Sequence, residues 1–239
     1  MSPAAALFFG AHPDDIELTS GGLAALLASH GHRVVLVDFT RGEAASRGSV
    51  EERAREAAEA AARLKVAERA NLGLPDLGLS RHDRAQMAAV VTCLRTYRPD
   101  LVVAPDREDA HPDHTEAHHL VARACYLAGL ARYPAGGERH RPRRLMFSLY
   151  RSSARAHLVV DVTSVWPLRV AALEAHRTQF DPKGAATYLT HPDFLEEVEA
   201  RARAWGAAIG ARYGEAYLVR GPVPITDARA LLPQGAMGS

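Results

Sequence analysis

The sequence has little of what marks secreted, membrane-bound or metal-finger proteins. Only two of its 239 residues are cysteine, and neither lies in a CxxC or similar ligand spacing. This usage favours buried free thiols in a reducing compartment over a disulfide framework. No apolar run approaches the roughly 18 residues of a membrane-spanning helix, and no charged-then-apolar leader opens the chain. The sequence therefore predicts a cytoplasmic protein with no membrane partner.

The chain also lacks a strong charge of either sign and a dinucleotide fingerprint. Its formal net charge is +1, so we expect no nucleic-acid partner. All but two of its 29 basic residues are arginine, which prefers planar, bidentate partners such as carboxylates. GxGxxG is absent after the first apolar run, which argues against NAD binding. We expect Gly21 and Gly22 instead to let backbone or substrate approach the preceding loop closely.

Short apolar runs alternate with helical patterns along the chain. The predicted strands cover 5–11, 33–40, about 68–72, 100–106, 143–150 and 157–163, followed by a last extended piece at 215–225. The predicted helices cover 21–31, 49–66, 83–99, the segment from the 111–114 loop to about 129, 164–179 and 193–212. This alternation predicts an α/β fold with a doubly wound, Rossmann-like, mostly parallel sheet of strand order 3-2-1-4-5.

We predict a single domain over 1–234. Residues 1–132 would form the Rossmann-like core, and 133–234 would form a C-terminal α/β extension on the same core. The final GAMGS at 235–239 resembles a remnant of a cloning tag and is left out of the fold prediction.

Two histidine-aspartate clusters stand where strands end. HPDD at 12–15 follows the first predicted strand, and HPDH at 111–114 follows the fourth. In the order 3-2-1-4-5 these strands are neighbours, and the crevice at their carboxyl ends is the usual ligand site. The two clusters, about a hundred residues apart in sequence, are therefore expected to face each other.

The two clusters contain the donors of a catalytic zinc site, which typically has two histidines, one carboxylate and an open fourth position. The spare carboxylate could act as general base, and the spare histidine, held by Asp113, could stabilise an oxyanion. This group fits hydrolysis of an amide or ester. His118 lies four residues after His114, but no HExxH surrounds it, so we expect it outside the ligand set or solvated. The available ligands are His12, Asp14 or Asp15, and His111 or His114.

The residues around both clusters resemble a known family. AHPDDIELTSGG and HPDH are similar to the paired motifs of the LmbE-like or PIG-L-type zinc N-deacetylases. Further stretches resemble the bacillithiol-biosynthesis branch, whose members remove the acetyl group from N-acetylglucosaminyl malate. These stretches are TRGEAASRGSVEERAREAAEAA, NLGLPDLGL, LRTYRPDLVVAPDREDAHPDH and ALEAHRTQF. The resemblance covers residues 5–225.

The resemblance implies a role for each residue of the two clusters. The implied ligands of one Zn²⁺ are His12, Asp15 and His114. Asp14 would be the general base for a metal-bound water that attacks the acetamide, and His111, oriented by Asp113, would stabilise the oxyanion. The resemblance also implies a homo-oligomer, such as a hexamer.

The resemblance also concerns the substrate side of the site. It implies that Arg53 binds a substrate carboxylate, whereas the residues alone also allow an exposed helix arginine. It further implies that Asp76 accepts hydrogen bonds from sugar hydroxyls, with a role in the turn as the equal alternative. The chain departs from the family pattern at Phe194, where relatives of this branch carry a tyrosine, so that hydroxyl is absent or supplied by a group such as Tyr188. The alternatives are a deacetylase of another N-acetylglucosamine derivative, such as a chito-oligosaccharide or mycothiol-type conjugate, and a non-catalytic metal- or nucleotide-binding module.

Overall fold

The strands of the protein form one seven-stranded sheet. A computed structural model describes residues 4–150, 155–181, 183 and 186–225, so the predicted tag remnant at 235–239 lies outside the described residues. The sheet order is β3-β2-β1-β4-β5-β7-β6. Strands β1 to β5 pair in parallel, and β7 pairs antiparallel with both β5 and β6. The strands are β1 (Ala6–Gly10), β2 (Val34–Asp38), β3 (Glu68–Asn71), β4 (Leu101–Pro105), β5 (Arg144–Ser148), β6 (Leu158–Asp161) and β7 (Gly214–Val219).

The predicted order 3-2-1-4-5 is confirmed, with two antiparallel strands added at one edge. The last predicted strand is shorter than expected, and it inserts between β5 and β6. The C-terminal third of the chain thus extends the same hydrogen-bonded sheet.

Eight helices connect or cover the strands in the part of the chain that the structure describes. Their termini follow local sequence: Ser49 and Glu52 form a capping box at the start of one helix, and Asp83 caps the next. The helices are α1 (Asp15–Thr19), α2 (Gly21–Ser29), α3 (Val50–Arg63), α4 (Arg84–Tyr97), α5 (Pro112–Leu127), α6 (Trp166–Ala175), α7 (Arg177–Phe180) and α8 (Phe194–Ala207).

The predicted continuous helix over 164–179 is wrong. A 3-10 turn at Thr163–Val165 precedes α6. The helix is interrupted at His176, and α7 begins at the next residue. His176 is fully buried, with its Nε2 3.5 Å from Glu17 Oε1 of α1. The interruption thus coincides with a buried contact between segments far apart in sequence, which the helical pattern could not reveal.

Apolar residues fill both faces of the sheet. Phe8 of β1 packs in a cluster with α2, α3, α6 and α8, while its neighbours Leu7 and Phe9 pack on the opposite face with α4 and α5. Cys93 and Cys125 are buried free thiols, as predicted. Among the described residues, no helix is both long and apolar enough to cross a membrane. Because helices cover both faces of the sheet, the carboxyl ends of β1 and β4 are where the loops can form a ligand site.

The paired glycines after the first loop have a packing role that differs from the predicted one. A Cβ on Gly22 would lie 2.6 Å from Glu215 Oε1 and 2.9 Å from Val162. The Glu215 carboxylate of β7 accepts hydrogen bonds from the amides of Gly22 and Leu23 at 2.7 and 2.8 Å. The close approach is therefore made by β7, which ties the C-terminal strands to the first helices.

Candidate active site

The loop between β1 and α1 carries the first cluster. Strand β1 is buried along its whole length and ends at Gly10, where the backbone turns so that the Asp15 Oδ2 atom accepts the His12 amide at 2.8 Å. Asp14 adopts φ 149°, a conformation that non-glycine residues rarely adopt. Asp14 and Asp15 are both buried, at 4% and 8% exposure. The turn thus holds two carboxylates away from bulk water at the end of the strand.

The second cluster begins α5. His111 is the N-cap, and its Nδ1 accepts the backbone amide of Asp113 at 3.2 Å, with Pro112 in the first helical turn. Asp109 Oδ1 accepts the His111 amide at 2.9 Å. His114, one turn into the helix, points to the first cluster.

The two clusters meet, as the predicted strand order required. Asp15 lies between two histidine rings, with its Oδ2 3.5 Å from His12 Nδ1 and its Oδ1 3.2 Å from His114 Nε2. The His111 ring centroid is 4.7 Å from that of His12 and 4.9 Å from that of His114. One nitrogen from each of the three histidines lies within 4.8 Å of the others. This group could hold a metal ion.

His12 and His114 each have one ring nitrogen that does not face Asp15, and this nitrogen faces another carboxylate. His12 Nε2 donates to Asp76 Oδ1 at 3.1 Å and lies 3.5 Å from Asp113 Oδ2. His114 Nδ1 lies 2.9 Å from Asp109 Oδ2. A histidine that binds a metal through one nitrogen usually donates its other N–H to a carboxylate or carbonyl, so this arrangement is typical of metal ligands.

The carboxylates dominate the local electrostatics. Burial opposes a charge on His12, but hydrogen bonds to Asp113, Asp15 and Asp76 raise its pKa to about 12. Burial likewise opposes a charge on His114, yet Asp15 and Asp109 raise its pKa to about 10. The negative charge that raises the pKa of these two histidines also favours the binding of a divalent cation.

Asp14 faces a buried arginine. Burial raises the pKa of Asp14, and the positive charge of Arg53 opposes that rise. Arg53 Nη2 lies 3.4 Å from Asp14 Oδ2 and donates to the Pro13 carbonyl at 3.1 Å, while Nη1 donates to the Gly42 carbonyl at 3.2 Å. Gly42 has φ +69°, and a Cβ there would lie 1.8 Å from Nη1. Arg53, 3% exposed, is thus packed into the site rather than exposed on its helix.

The site opens into a cavity of about 670 Å³. Arg53 is the one arginine or lysine among the lining residues within the described part of the chain. Apolar walls come from residues such as Leu18, Leu77 and Leu189. Five carboxylates line the cavity: Asp14, Asp15, Asp76, Glu108 and Asp109.

Sequence reasoning missed several of these lining residues. Tyr150 follows β5, which pairs with β4, so the carboxyl end of a neighbouring parallel strand was the signal available. Asp109 lies two residues before His111, and that proximity in sequence was its signal. Gln179 enters from α7, and nothing in the local pattern indicated its proximity.

Phe194 is a core residue. It is 1% exposed, with its ring 5.5 Å from Phe180 and edge-on to Tyr188 at 5.2 Å. Tyr188 thus lines the cavity, but its hydroxyl donates to Glu197, which is not among the lining residues.

His118 lies on the face of α5 that packs on the sheet. Its exposure is 9%, its Nδ1 is 3.1 Å from the Pro105 carbonyl, and its ring centroid is 4.1 Å from that of Phe147. The expectation that it could be solvated is wrong, because the amphipathic spacing of α5 turns this position inward.

A buried ionic network lies beneath the first cluster. Arg69 of β3 donates to Asp38 through Nε at 2.7 Å and Nη2 at 2.9 Å, and through Nη1 to Glu17 of α1. Glu17 is fully buried and Asp38 is 2% exposed. Burial raises the pKa of Glu17, but Arg69 and His176 outweigh it and lower that pKa to about 2. This network anchors the short helix that follows the HPDD turn.

Comparison with known proteins gives the family. The profile of the PIG-L family, described as GlcNAc-PI de-N-acetylase, matches residues 7–125. A 1D-myo-inositol 2-acetamido-2-deoxy-alpha-D-glucopyranoside deacetylase of Rhodococcus jostii (strain RHA1) is 32% identical over 64% of this chain, which spans 64% of that relative's length. A diacetylchitobiose deacetylase of Thermococcus kodakarensis is 29% identical, with 71% of this chain and 67% of that relative aligned.

Solved structures agree in fold. The crystal structure of the conserved protein TT1542 from Thermus thermophilus superposes with a TM-score of 0.86 and 36% identity, covering 93% of this chain and 97% of that one. The N,N'-diacetylchitobiose deacetylase of Pyrococcus horikoshii has a TM-score of 0.77 at 24% identity, covering 90% of this chain and 83% of that one. The paired clusters, the sheet order and these similarities show that the chain belongs to the PIG-L (LmbE-like) deacetylase family.

Proposed function

We propose that this protein is a zinc-dependent N-deacetylase that hydrolyses the acetamide of an N-acetylglucosamine derivative. The observation that carries the proposal is the meeting of two histidines and Asp15 in one cavity, with a further buried carboxylate, Asp14, left beside them. Relatives named as deacetylases of acetylated glucosamine compounds support the substrate class. Hydrolysis of an amide needs an activated water, a proton acceptor and a proton donor, and the cavity offers groups for each.

Zinc fits the donor set. Ligand atoms 2.0–2.1 Å from a tetrahedral zinc lie roughly 3.3 Å from one another. His12 Nδ1 and His114 Nε2 are 3.5 and 3.2 Å from the oxygens of Asp15. His12, Asp15 and His114 would hold the ion, with each histidine facing a different oxygen of Asp15. When bound, zinc supplies an activated water and polarises the amide carbonyl.

Asp14 is the general base in this proposal. It accepts a proton from the attacking water and returns it to the departing amine, a role that typically contributes about 10²–10⁴-fold. Burial raises the pKa of Asp14, and the positive charge of Arg53 opposes that rise, so the two together set the basicity of this carboxylate. Arg53 therefore serves the reaction through Asp14.

His111 stabilises the oxyanion in this proposal. Its Nδ1 accepts the Asp113 amide, so the proton of the neutral ring is on Nε2 and can be donated into the cavity. Burial lowers the pKa of His111, and the nearby His12 and His114 lower it further, which keeps the ring neutral. The Asp113 carboxylate accepts from the amides of Leu77 and Leu79 at 2.7 and 3.3 Å. It is thus the backbone of Asp113, rather than its carboxylate, that contacts His111.

A neutral group attached to the glucosamine fits the cavity better than a malyl group. Among the described residues the lining holds one arginine, Arg53, and it already binds Asp14 and two carbonyls. A malyl conjugate would bring two carboxylates to this surface without a second arginine or lysine among the described lining residues to pair with them. We therefore propose a sugar or inositol conjugate in place of the N-acetylglucosaminyl malate implied by the sequence resemblance.

An amine-release assay tests both the deacetylase activity and the preference for a neutral conjugate. The substrates are N-acetylglucosaminyl inositol, diacetylchitobiose, N-acetylglucosaminyl malate and free N-acetylglucosamine, each with added zinc and with chelator. We expect chelator-sensitive turnover, with kcat/KM higher for a neutral conjugate than for the malate. The absence of zinc-dependent turnover on all four would contradict the deacetylase, whereas a preference for the malate would contradict only the neutral substrate class.

A further inference from the structure

Asp76 has its carboxylate committed to the protein. It lies in the loop between β3 and α4, and its side chain is 4% exposed. Its Oδ1 accepts His12 Nε2 at 3.1 Å, and its Oδ2 accepts the Ala44 amide at 2.9 Å. The Asp76 amide donates to Glu43 at 3.0 Å. Each oxygen of the carboxylate thus accepts a donor from the protein, and these two contacts fix its orientation against His12.

The surrounding loop is also fixed. The next residue, Leu77, is held at φ +58°, a left-handed conformation that is uncommon for a bulky side chain. Its amide donates to Asp113 at 2.7 Å, which ties the loop to the start of α5. The backbone strain is thus maintained by contacts from two sides, and these contacts hold the Asp76 carboxylate against the His12 ring.

The hydrogen bond from His12 Nε2 to Asp76 determines which nitrogen of His12 can bind a metal. A neutral imidazole carries one proton, and the nitrogen that donates it cannot bind a metal. Because Nε2 donates to Asp76, the lone pair is on Nδ1, the atom that faces Asp15. A carboxylate in this position fixes the ring orientation and increases the basicity of the ligating nitrogen.

We propose that Asp76 is a positioning residue that holds His12 in the orientation and tautomer that bind the metal through Nδ1. This inference rests on the proposed function, because it concerns the same site. It assigns Asp76 a role that acts through a ligand histidine, distinct from the substrate contact that the resemblance implies.

The variant Asp76→Asn distinguishes a residue that positions His12 from one that binds the substrate. Asparagine has one acceptor oxygen for two donors, so either Ala44 or His12 loses its partner. If the oxygen stays with Ala44, the amide NH₂ faces Nε2 and favours the tautomer with its proton on Nδ1, which opposes metal binding. An analogous aspartate-to-asparagine change beside a catalytic histidine is known to favour the wrong tautomer. Glu108→Gln is the matched control, since it also removes one carboxylate charge from the cavity lining.

The primary measurement is the zinc dissociation constant, obtained by competition with a chromophoric chelator in the absence of any substrate. We expect Asp76→Asn to weaken zinc binding by about 10–100-fold, the usual effect of removing such a partner. We expect Glu108→Gln to change it far less. Circular dichroism and a melting curve establish that each variant is folded, and kcat and KM are then measured at saturating zinc.

Three results would overturn the inference. They are unchanged zinc affinity in Asp76→Asn, an equal loss in Glu108→Gln, which would indicate a general charge effect, and a raised KM with normal zinc affinity, which would indicate a substrate contact. Failure of the proposed function is distinguishable, because the wild-type protein would then bind no zinc or release no amine, whereas these results concern a wild type that does both.

Discussion

Replacing Arg69 by methionine removes the cation that joins two buried carboxylates beneath the catalytic loop. Arg69 binds Asp38 through two hydrogen bonds and Glu17 through a third, and its side chain is 7% exposed. Methionine fills much of the same volume without a charge. The variant therefore tests the ionic network with little change in packing.

The magnitude follows from the burial of both partners. Removing one member of a buried ion pair costs about 3–5 kcal/mol, because the other is left uncompensated. Since domains unfold with about 5–15 kcal/mol, the loss is a large share of the total free energy of unfolding. For a chain of this size it corresponds to a fall in Tm of about 6–20 °C.

The pH dependence gives the test a distinctive sign. In the wild type the pKa of Glu17 is about 2, below its ordinary 4.5, so its contribution is present above pH 4.5 and is lost as the pH falls towards 2. Burial already raises the pKa of Asp38 despite Arg69. Without Arg69 both carboxylates favour the protonated form, so the variant loses stability as the pH rises. The difference in the free energy of unfolding from wild type should therefore be largest near pH 7, smaller near pH 4 and smallest as the pH approaches 2.

Urea unfolding at several pH values, followed by tryptophan fluorescence, measures this difference. The control is Arg63→Met, because Arg63 is 55% exposed and pairs with Glu59 on the helix surface. We expect its midpoint to match wild type at every pH. A pH-independent loss in Arg69→Met, or a loss no larger than in the control, would refute the reasoning.

Three further predictions concern the catalytic residues. Asp14→Ala should keep stoichiometric zinc but lose at least about a hundredfold in kcat, because the proton acceptor is gone; near-wild-type turnover would exclude the general-base role. His114→Ala should lose zinc, measured by metal analysis of the purified protein, and full zinc content would show that another residue is the ligand. Arg53→Ala should lower kcat similarly on charged and neutral substrates because its guanidinium contacts Asp14; a loss confined to the malyl conjugate would instead indicate a substrate carboxylate contact.

Much of the site could be predicted because a parallel sheet imposes its geometry on any sequence that forms it. Strands β1 and β4 were recognisable as apolar runs, and their adjacency followed from the common strand order. His12 and His114, which end or follow those runs, therefore had to come together. The chemistry of two histidines and several carboxylates then restricted the function to a small group of metal-assisted reactions.

The contacts of individual side chains could not be predicted in this way. From the sequence, Arg53 could be either an exposed helix residue or a carboxylate anchor, and it is buried against Asp14. Asp113 was expected to hold His111 through its carboxylate, but that group binds the loop after Asp76. Each of these contacts is made with a loop from a distant part of the chain, so the local sequence could not indicate it.

The sequence by itself determined the alternation of strands and helices, the meeting of HPDD with HPDH and the donor types at their junction. These follow from hydrophobic periodicity and the fixed direction of parallel strands. Only the tertiary structure decided which nitrogen of each histidine faces Asp15, which carboxylate faces the other nitrogen and how much of the cavity is acidic. Ring orientation and loop packing are set by contacts between residues dozens of positions apart, such as His12 with Asp76, and these contacts exist only in the folded chain.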